Sequence, residues 1–306
     1  MKKAVSIPIL LLTVFLCGHV LAQQQAIPST FFGIHVNNPT IESRESSYPV
    51  QVTYGEFRNW DVYQVSWPDI EWCEAASGDP NDNCFKNQTT KQSNFIPLRT
   101  ELQSLSSAGV NNVMLTLSRT PAWAVTTAQA GDSNCNYYIN GSQYHGACYA
   151  PNGTGVNGDN HLAQNGTGDD LIWRNWVTAI ATWVNSSTDC PNCAHVKYWE
   201  IWNEFDRNST SGGDHPSWYA AQPSSGCVTP CPTPDQLIRM AQDARCIIVG
   251  AGYVDNYPNN GGHTACSSLG SGWTIGIDPS AEIVQPSITQ LTAATVRARS
   301  FATPIS

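Results

Sequence analysis

The stretch KYWEIWNEFD, residues 197 to 206, places two glutamates among two tryptophans. A carboxyl group that indole rings partly shield from water has a raised pKa, so it can hold a proton near neutral pH and act as a general acid. Glu204, flanked by Trp199 and Trp202, is therefore a candidate acid. The alternative is that Glu204 only caps the following loop and that the tryptophans belong to the core.

A strand from His195 to Trp202 must position this carboxyl group. Because side chains alternate along a strand, Glu200, Trp202 and Glu204 should share one face until the strand ends. Parallel α/β folds place their active sites at the C-terminal ends of strands. The sequence therefore predicts that Asn203 and Glu204 lie at such an end.

Short apolar runs alternate with longer amphipathic ones, which favours an α/β fold with a parallel sheet covered by helices. The predicted strands span residues 31–36, 57–65, 113–117, 195–202 and 281–286. The predicted helices run through Leu98, Leu102 and Leu105 to Gly109, from Asp169 and Asp170 to Val184, and from Pro234 to Ile248. Residues 126–168, rich in Gly, Asn and Tyr, predict a functional loop or small subdomain.

Three stretches together resemble a known family. Trp-Glu-Ile-Trp-Asn-Glu at 199–204 closely resembles the strand-four signature of the retaining (β/α)8 glycoside hydrolases of clan A, most nearly the family 39 (β-xylosidase and α-L-iduronidase) type. Arg-Asn-Trp-Asp at 58–61 resembles the strand-two segment, and Thr-Pro-Ala-Trp-Ala at 120–124 resembles the loop after strand three. The resemblance covers roughly residues 31 to 290 and implies a (β/α)8 TIM-barrel fold.

The resemblance implies catalytic roles for three residues. Glu204 would be the acid/base, and Asn203 would contact the sugar 2-hydroxyl and help to orient the nucleophile. Arg58 would keep the nucleophile charged, although a structural ion pair is the alternative for this residue. Asp61 and Glu71 are expected to be supporting hydrogen-bond partners.

Four residues are predicted to bind the substrate: Arg58, Trp123, His35 and Trp202. Trp123 would form a wall of the sugar subsite, with packing within its loop as the alternative, and Trp202 would also line the site. His35, just past the first strand, is a further candidate, although a lone histidine is more often structural. The implied substrate is an oligosaccharide, polysaccharide or glycoside, with no metal or other cofactor.

The sequence departs from the family at the nucleophile. Retaining hydrolysis needs a second carboxylate about 5–5.5 Å from the first, and the family supplies it at the end of strand seven. Only five strand/helix units can be placed, so we expect a C-terminally truncated barrel that is inactive alone. One alternative is a non-catalytic carbohydrate-binding or scaffold protein. Another is a complete, rearranged barrel in which 246–250 and 273–277 are strands and Asp255, Asp278 or Glu282 supplies the nucleophile.

The N-terminus predicts export. Lys2 and Lys3 precede an apolar run that is too short to span a bilayer, and Val-Leu-Ala at 20–22 is typical of signal cleavage. Residues 1–22 are thus predicted to be a signal peptide, and residues 23–306 an extracellular, or in a bacterium periplasmic, barrel domain. The net charge of −9 and the lack of a basic stripe disfavour a nucleic-acid or membrane-surface partner.

The cysteines of the predicted mature chain fall in sequential couples. An even number of cysteines in an exported protein favours disulfides. Neighbour pairing is predicted, each bridge stapling an insertion: 73 with 84, 135 with 148, 190 with 193, 227 with 231, and 246 with 266. The alternatives for Cys190-Pro-Asn-Cys193 are a redox motif and half of a zinc site.

Overall fold

A computed structural model describes residues 33–36, 56–59, 65–110, 112–133, 135–139, 142–151, 162–202, 227–255 and 262–284. Residues 33–36, 56–59, 136–139 and 142–144 are described by their backbone. The strands are β1 (Gly33–Val36), β2 (Glu56–Asn59), β3 (Asn112–Leu117), β4 (Asn136–Ile139), β5 (Ser142–His145), β6 (His195–Ile201), β7 (Tyr253–Asp255), β8 (His263–Ala265) and β9 (Glu282–Val284). The α-helices are α1 (Trp67–Ile70), α2 (Ile96–Ser107), α3 (Thr127–Ala130), α4 (Leu171–Asn185) and α5 (Pro234–Ile248).

Five strands form one parallel sheet in the order β1-β2-β3-β6-β9. Their order in space is their order along the chain, so the sheet never reverses its winding direction. Crossovers between parallel strands are almost always right-handed. When each crossover is right-handed and each new strand is added on the same side of the previous one, all the crossover helices lie on one face of the sheet. The arrangement expected here is therefore singly wound.

The predicted helices and strands agree closely with those observed. α5 has the predicted bounds, with Pro234 in the first turn and a capping box between Thr233 and Gln236. α2 ends before Gly109, whose φ of +85° lies in the left-handed region that favours glycine. α4 begins after Asp170, as predicted, but the Asp170 side chain makes no capping hydrogen bond.

An aromatic cluster fills the space between α2, α4 and the segment that follows β2. Trp67 stacks on Trp176 with ring centres 5.7 Å apart, and Phe95 stacks on Trp176 at 6.3 Å and on Trp183 at 5.0 Å. Trp67, Trp176 and Phe95 are almost fully buried. Such contacts add about 0.5–1.5 kcal/mol per pair beyond the burial of area. The cluster therefore anchors the loop after β2 on the helix layer.

All five predicted disulfides are present: Cys73–Cys84, Cys135–Cys148, Cys190–Cys193, Cys227–Cys231 and Cys246–Cys266. The insertion at 126–168 contains α3 and the β4–β5 hairpin, and the hairpin formed by β7 and β8 follows α5. The bridge at 246–266 differs from the prediction in one respect, because Cys246 belongs to α5 itself. That bridge fastens an insertion to a helix of the main layer.

Three predictions need correction. The predicted second strand reached Val65, but residues 65 and 66 lead into α1. The predicted fifth strand began at Ala281, but β9 begins at Glu282. The (β/α)8 barrel predicted from the resemblance is not seen closed, since β1 and β9 are the outer strands of the sheet that the described residues form.

The rearranged-barrel alternative is wrong. Residues 246–248 are the last residues of α5, and 273–277 form no strand. Instead, the N–H groups of residues 276, 277 and 278 donate to the carbonyls of Cys246, Ile247 and Ile248 at 3.2, 3.0 and 2.8 Å. The last carbonyls of a helix lack partners within the helix. The 273–278 segment therefore caps α5.

Within the described part of the chain, no helix is long and apolar enough to cross a membrane.

Candidate functional site

Three loops follow the C-terminal ends of three neighbouring strands, β2, β3 and β6. β3 pairs with β2 on one side and with β6 on the other, and both pairings are parallel. Parallel strands end at a common edge, where open α/β sheets bind their ligands. The described residues of the three motifs therefore lie on or directly after neighbouring strands, with Arg58 in β2, Trp123 shortly after β3, and Trp202 directly after β6.

A buried carboxyl group lies near the end of β6. The pairing of β3 with β6 shifts beside Val113 and Met114, where β6 carries one extra residue, so Thr116 faces Glu200. Thr116 Oγ1 donates to Glu200 Oε2 at 2.5 Å, and Glu200 is only 2% exposed. A bulge of this kind re-aims the side chains that follow it. Glu200 is thereby a fixed acceptor close to the proposed acid/base, which sequence reasoning did not single out.

Trp202 ends the strand in an unusual conformation. Its φ is +71°, its N–H donates to the carbonyl of Leu117 at 2.8 Å, and its side chain is 3% exposed. The left-handed region is rare for a bulky residue and costs about 1–3 kcal/mol, so the surrounding structure must hold it in place. The alternation of faces stops at Ile201. The rule that placed Glu200, Trp202 and Glu204 on one face therefore cannot be extended past the end of β6.

Trp123 packs against the loop that follows β2. Its indole N–H donates to the carbonyl of Glu71 at 3.0 Å, and its ring meets Trp67 edge-on with centres 6.3 Å apart. Trp123 is half-buried. This is the contact expected if the residue packs within its loops, and it also brings the loops after β2 and β3 together at the same edge.

Glu71 is the buried acid of that contact. Burial raises the pKa of Glu71 to about 8, although hydrogen bonds from Trp67 and Ala75 act in the opposite direction. Trp67 Nε1 donates to one carboxyl oxygen at 2.6 Å, and the Ala75 N–H donates to the other at 3.1 Å. Glu71 thus has the supporting hydrogen-bond role predicted from the sequence, because both of its oxygens bind its own loop.

Arg58 and His35 lie in one row across the sheet. His35 pairs with Arg58, and Arg58 pairs with Met114. The row continues through Tyr198 and Glu282 on the next two strands.

Asn203, Glu204 and Asp61 lie outside the described residues. Their predicted roles, and the predicted approach of Glu204 to Arg58 and Trp123, remain predictions.

No family model matches the chain, and no curated protein or solved structure matches it. A fold alone does not determine function, so the function of this protein must be inferred from the residues of the site.

The three alternative nucleophiles lie within the described residues, whereas Glu204 does not. Asp255 lies in the β7–β8 hairpin, where it binds Gln242 and His263. Asp278 accepts a hydrogen bond from Ser280 Oγ at 2.6 Å and lies 2.6 Å from His195 Nε2, at the start of β6.

Glu282 begins β9 and is level with Tyr198. Tyr198 precedes Trp202 by four residues, a separation of about 13 Å along a strand.

A buried charge cluster joins α4 to α5. Arg239 Nε donates to Asp243 Oδ1 at 2.9 Å, and Arg239 and Asp243 are 1% and 0% exposed. Asp170 is also buried and lies within hydrogen-bonding range of Asp243. Burial raises the pKa of Asp170, and the charge of Asp243 raises it further. The Oδ2 atoms of Asp170 and Asp243 have no hydrogen-bond partner among the described residues.

A cleft of about 390 Å³ opens beside this cluster, between α4 and residues 76–78 and 272–274. Arg174 is its one charged lining residue. The guanidinium carbon of Arg174 lies 4.0 Å from the ring centre of Trp273, and Nη2 lies 3.1 Å from Asp169. The charge of Arg174 is thus already matched, so no ligand is assigned to the cleft. Among the described residues, no group of His, Cys, Asp and Glu side chains could hold a metal ion.

Proposed function

We propose that the protein hydrolyses O-glycosidic bonds by a retaining mechanism, with Glu204 as the general acid/base. The observation that carries the proposal is that the three motif segments belong to neighbouring strands of one parallel sheet. β2, β3 and β6 run in the same direction, with Leu117 level with Ile201 and Arg58 three residues before that level. Local sequence alone does not bring these three segments together.

The winding of the sheet supports a barrel as the scaffold. Strands in sequential order with helices on one face are what a (β/α)8 barrel requires, whereas a doubly wound sheet reverses its strand order. The face opposite the helices would then line the barrel. Thr116 and Glu200 bind each other one residue before the ends of β3 and β6, at the level where a barrel enzyme holds its substrate.

In the proposed reaction Glu204 first donates its proton to the glycosidic oxygen as the bond to the leaving group breaks. A second carboxylate, outside the described residues, attacks the anomeric carbon and forms a glycosyl-enzyme ester. Glu204, now a carboxylate, removes a proton from water as the water attacks the ester, which restores both groups. Asn203 would hold the sugar 2-hydroxyl, and Arg58 would favour the charged form of the nucleophile.

The substrate-binding residues of the proposal are Trp202, Trp123 and His35. Burial of Trp202 and the hydrogen bond from Trp123 to Glu71 fix two of these side chains in place. Fixed aromatic walls suit the apolar C–H faces of sugar rings. We place the enzyme outside the cytosol, since five disulfides are typical of proteins that fold in an oxidising compartment.

The test is the activity of the protein from its complete reading frame on a panel of aryl glycosides. Glu204→Gln keeps the shape of the side chain and removes its proton transfer. We expect it to lower the hydrolysis of glycosides with poor leaving groups by about 10²–10⁴-fold. Dinitrophenyl glycosides, whose leaving group needs no proton, should form the glycosyl-enzyme almost as fast as in the parent, and azide should restore their turnover.

Glu282→Gln is the matched control, because Glu282 is an exposed acid that pairs with Lys197 and has no role in the proposed reaction. It should leave all of these rates unchanged. A Glu204→Gln variant as active as the parent on every glycoside would exclude Glu204 as the acid/base. A parent protein that hydrolyses none of the panel would contradict the proposed activity itself.

A further inference from the structure

Trp72 is one of two large hydrophobic side chains that are strongly exposed within the described residues. Its exposed fraction is 42%, and that of Tyr253 is 45%. Exposing this much of an indole forgoes about 2–3 kcal/mol of hydrophobic stabilisation. A single exposed aromatic needs no explanation in itself. Trp72 differs from a scattered exposed aromatic residue because hydrogen bonds hold its indole in place.

The indole of Trp72 is fixed from both sides of its loop. Its ring N–H donates to the carbonyl of Asn83 at 3.1 Å, and its backbone N–H donates to the carbonyl of Cys84 at 3.1 Å. The adjacent Cys73 is bridged to Cys84. The polar edge of the ring is therefore satisfied internally while part of the ring faces solvent. Rigid presentation of an aromatic ring lowers the entropy that a ligand loses on binding.

Trp72 is also next to the edge of the sheet where the three motifs lie. The carbonyl of the preceding residue, Glu71, accepts the indole N–H of Trp123. Trp123 therefore binds the peptide group that joins Glu71 to Trp72, and the two tryptophans belong to loops that follow the neighbouring strands β2 and β3.

The charge around Trp72 restricts the ligand. Residues 65–86 contain one lysine, Lys86, and five acids, at positions 69, 71, 74, 79 and 82. Glu71 is buried with a raised pKa, whereas Asp79 is exposed, and Glu74 and Asp82 are half-buried. The net negative charge disfavours anionic chains such as uronate polymers and nucleic acids. The uncharged C–H face of a neutral pyranose carries a weak positive polarity, which suits the negative face of an indole.

We propose that Trp72 is a binding platform for a neutral pyranose unit of a polysaccharide, outside the subsite where the bond is cleaved. The inference rests on the proposed function for the direction of the chain, and it names the substrate class as a neutral polymer. Glu71 and the Cys73–Cys84 bridge act as positioning elements for the platform.

The test measures binding separately from hydrolysis. Binding of the parent, Trp72→Ala, Trp72→Tyr and Tyr253→Ala is measured by affinity electrophoresis in gels containing soluble xylan, mixed-linkage β-glucan, galactomannan or polygalacturonate. Trp72→Ala should weaken binding to at least one neutral polymer by about tenfold, which corresponds to the loss of one stacked ring. Trp72→Tyr should retain most of the affinity. Tyr253→Ala removes an equally exposed aromatic elsewhere and should bind like the parent.

Thermal unfolding of each variant shows whether the loop is intact. Equal binding by the parent and Trp72→Ala, no binding to any neutral polymer, or equal retention by polygalacturonate would overturn the inference. A Trp72-dependent self-association seen by size-exclusion chromatography, without binding to polysaccharide, would also contradict it. Trp72-dependent binding in a protein without glycosidase activity would leave the inference standing and refute the proposed function. Glycosidase activity combined with binding that does not depend on Trp72 would support the proposed function and refute the inference about Trp72.

Discussion

Substitutions at the two buried aspartates should have unequal effects on stability. Asp170 and Asp243 face each other between α4 and α5, and Arg239 binds Asp243 directly. Burial raises the pKa of both carboxyl groups, and Arg239 offsets part of this at Asp243. Burial and the charge of Asp243 thus favour the protonated form of Asp170, whereas Arg239 favours the charged form of Asp243. Asp170→Asn keeps a neutral donor in place, whereas Asp243→Asn removes the charge that balances a buried guanidinium.

The magnitudes follow from the burial of Arg239, which is 1% exposed. Removing one partner of a buried ion pair costs about 3–5 kcal/mol, because the other charge stays buried without compensation. This is a large part of a total stability of about 5–15 kcal/mol. We expect Asp243→Asn to lose about 3 kcal/mol or more. Asp170→Asn should stay within about 1 kcal/mol of the parent, since it exchanges one neutral hydrogen-bond donor for another.

The assay is urea unfolding with the disulfides intact, followed by circular dichroism between about pH 5 and pH 8. The folded state keeps the Asp170 proton at a pH where the unfolded chain has released it. The parent therefore loses stability as the pH rises above the unfolded pKa of Asp170, and Asp170→Asn should lack this part of the decline. If Asp170→Asn is as damaging as Asp243→Asn at neutral pH, the proton is not held at Asp170.

Two further predictions concern pH. Burial raises the pKa of Glu71 from 4.5 to about 8, so the folded protein keeps the Glu71 proton at a pH where the unfolded chain has lost it. The stability of the parent should therefore fall as the pH rises from about 4.5 to about 8. Glu71→Gln, which cannot titrate, should show a smaller fall in the same urea assay. Burial alone would raise the pKa of Asp278, but hydrogen bonds from Ser280 and His195 outweigh it and hold the pKa below 3.8. The stabilisation from the Asp278 carboxylate is fully present above the pKa of Asp278 in the unfolded chain and is lost as the pH falls through its lower pKa in the folded protein. Asp278→Asn should therefore have a lower melting temperature than the parent near neutral pH and the same melting temperature in strong acid. Equal melting temperatures at neutral pH would contradict the stabilising role of these hydrogen bonds.

Hydrophobic periodicity predicted the framework because most of the packing follows it. The apolar stripe through Trp173, Trp176 and Ile180 gave α4, and the run from Val113 to Leu117 gave β3. The pairing of the cysteines was also predictable, because each couple is close in sequence. These features depend on residues within one element or one short loop.

The buried charges escaped prediction because periodicity assigns charged residues to solvent. Arg239 and Asp243 lie four residues apart on the buried face of α5. Their spacing was the available signal, since Arg and Asp four residues apart on a helix can pair. The bend at Trp202 had no such signal, because nothing in the sequence marks a bulky residue for a left-handed conformation. That bend adjoins the proposed acid/base, where departures from local rules are expected.

The disulfides also determine how the protein can mature. The largest separation between bridged cysteines is 20 residues, and the bridged couples follow one another along the chain without overlapping. A chain that enters an oxidising compartment from its N-terminus can close each bridge before the next couple emerges. Correct pairing then needs only order of arrival, with no rearrangement between distant cysteines. Oxidation is thus a series of local events, separable from the assembly of the sheet.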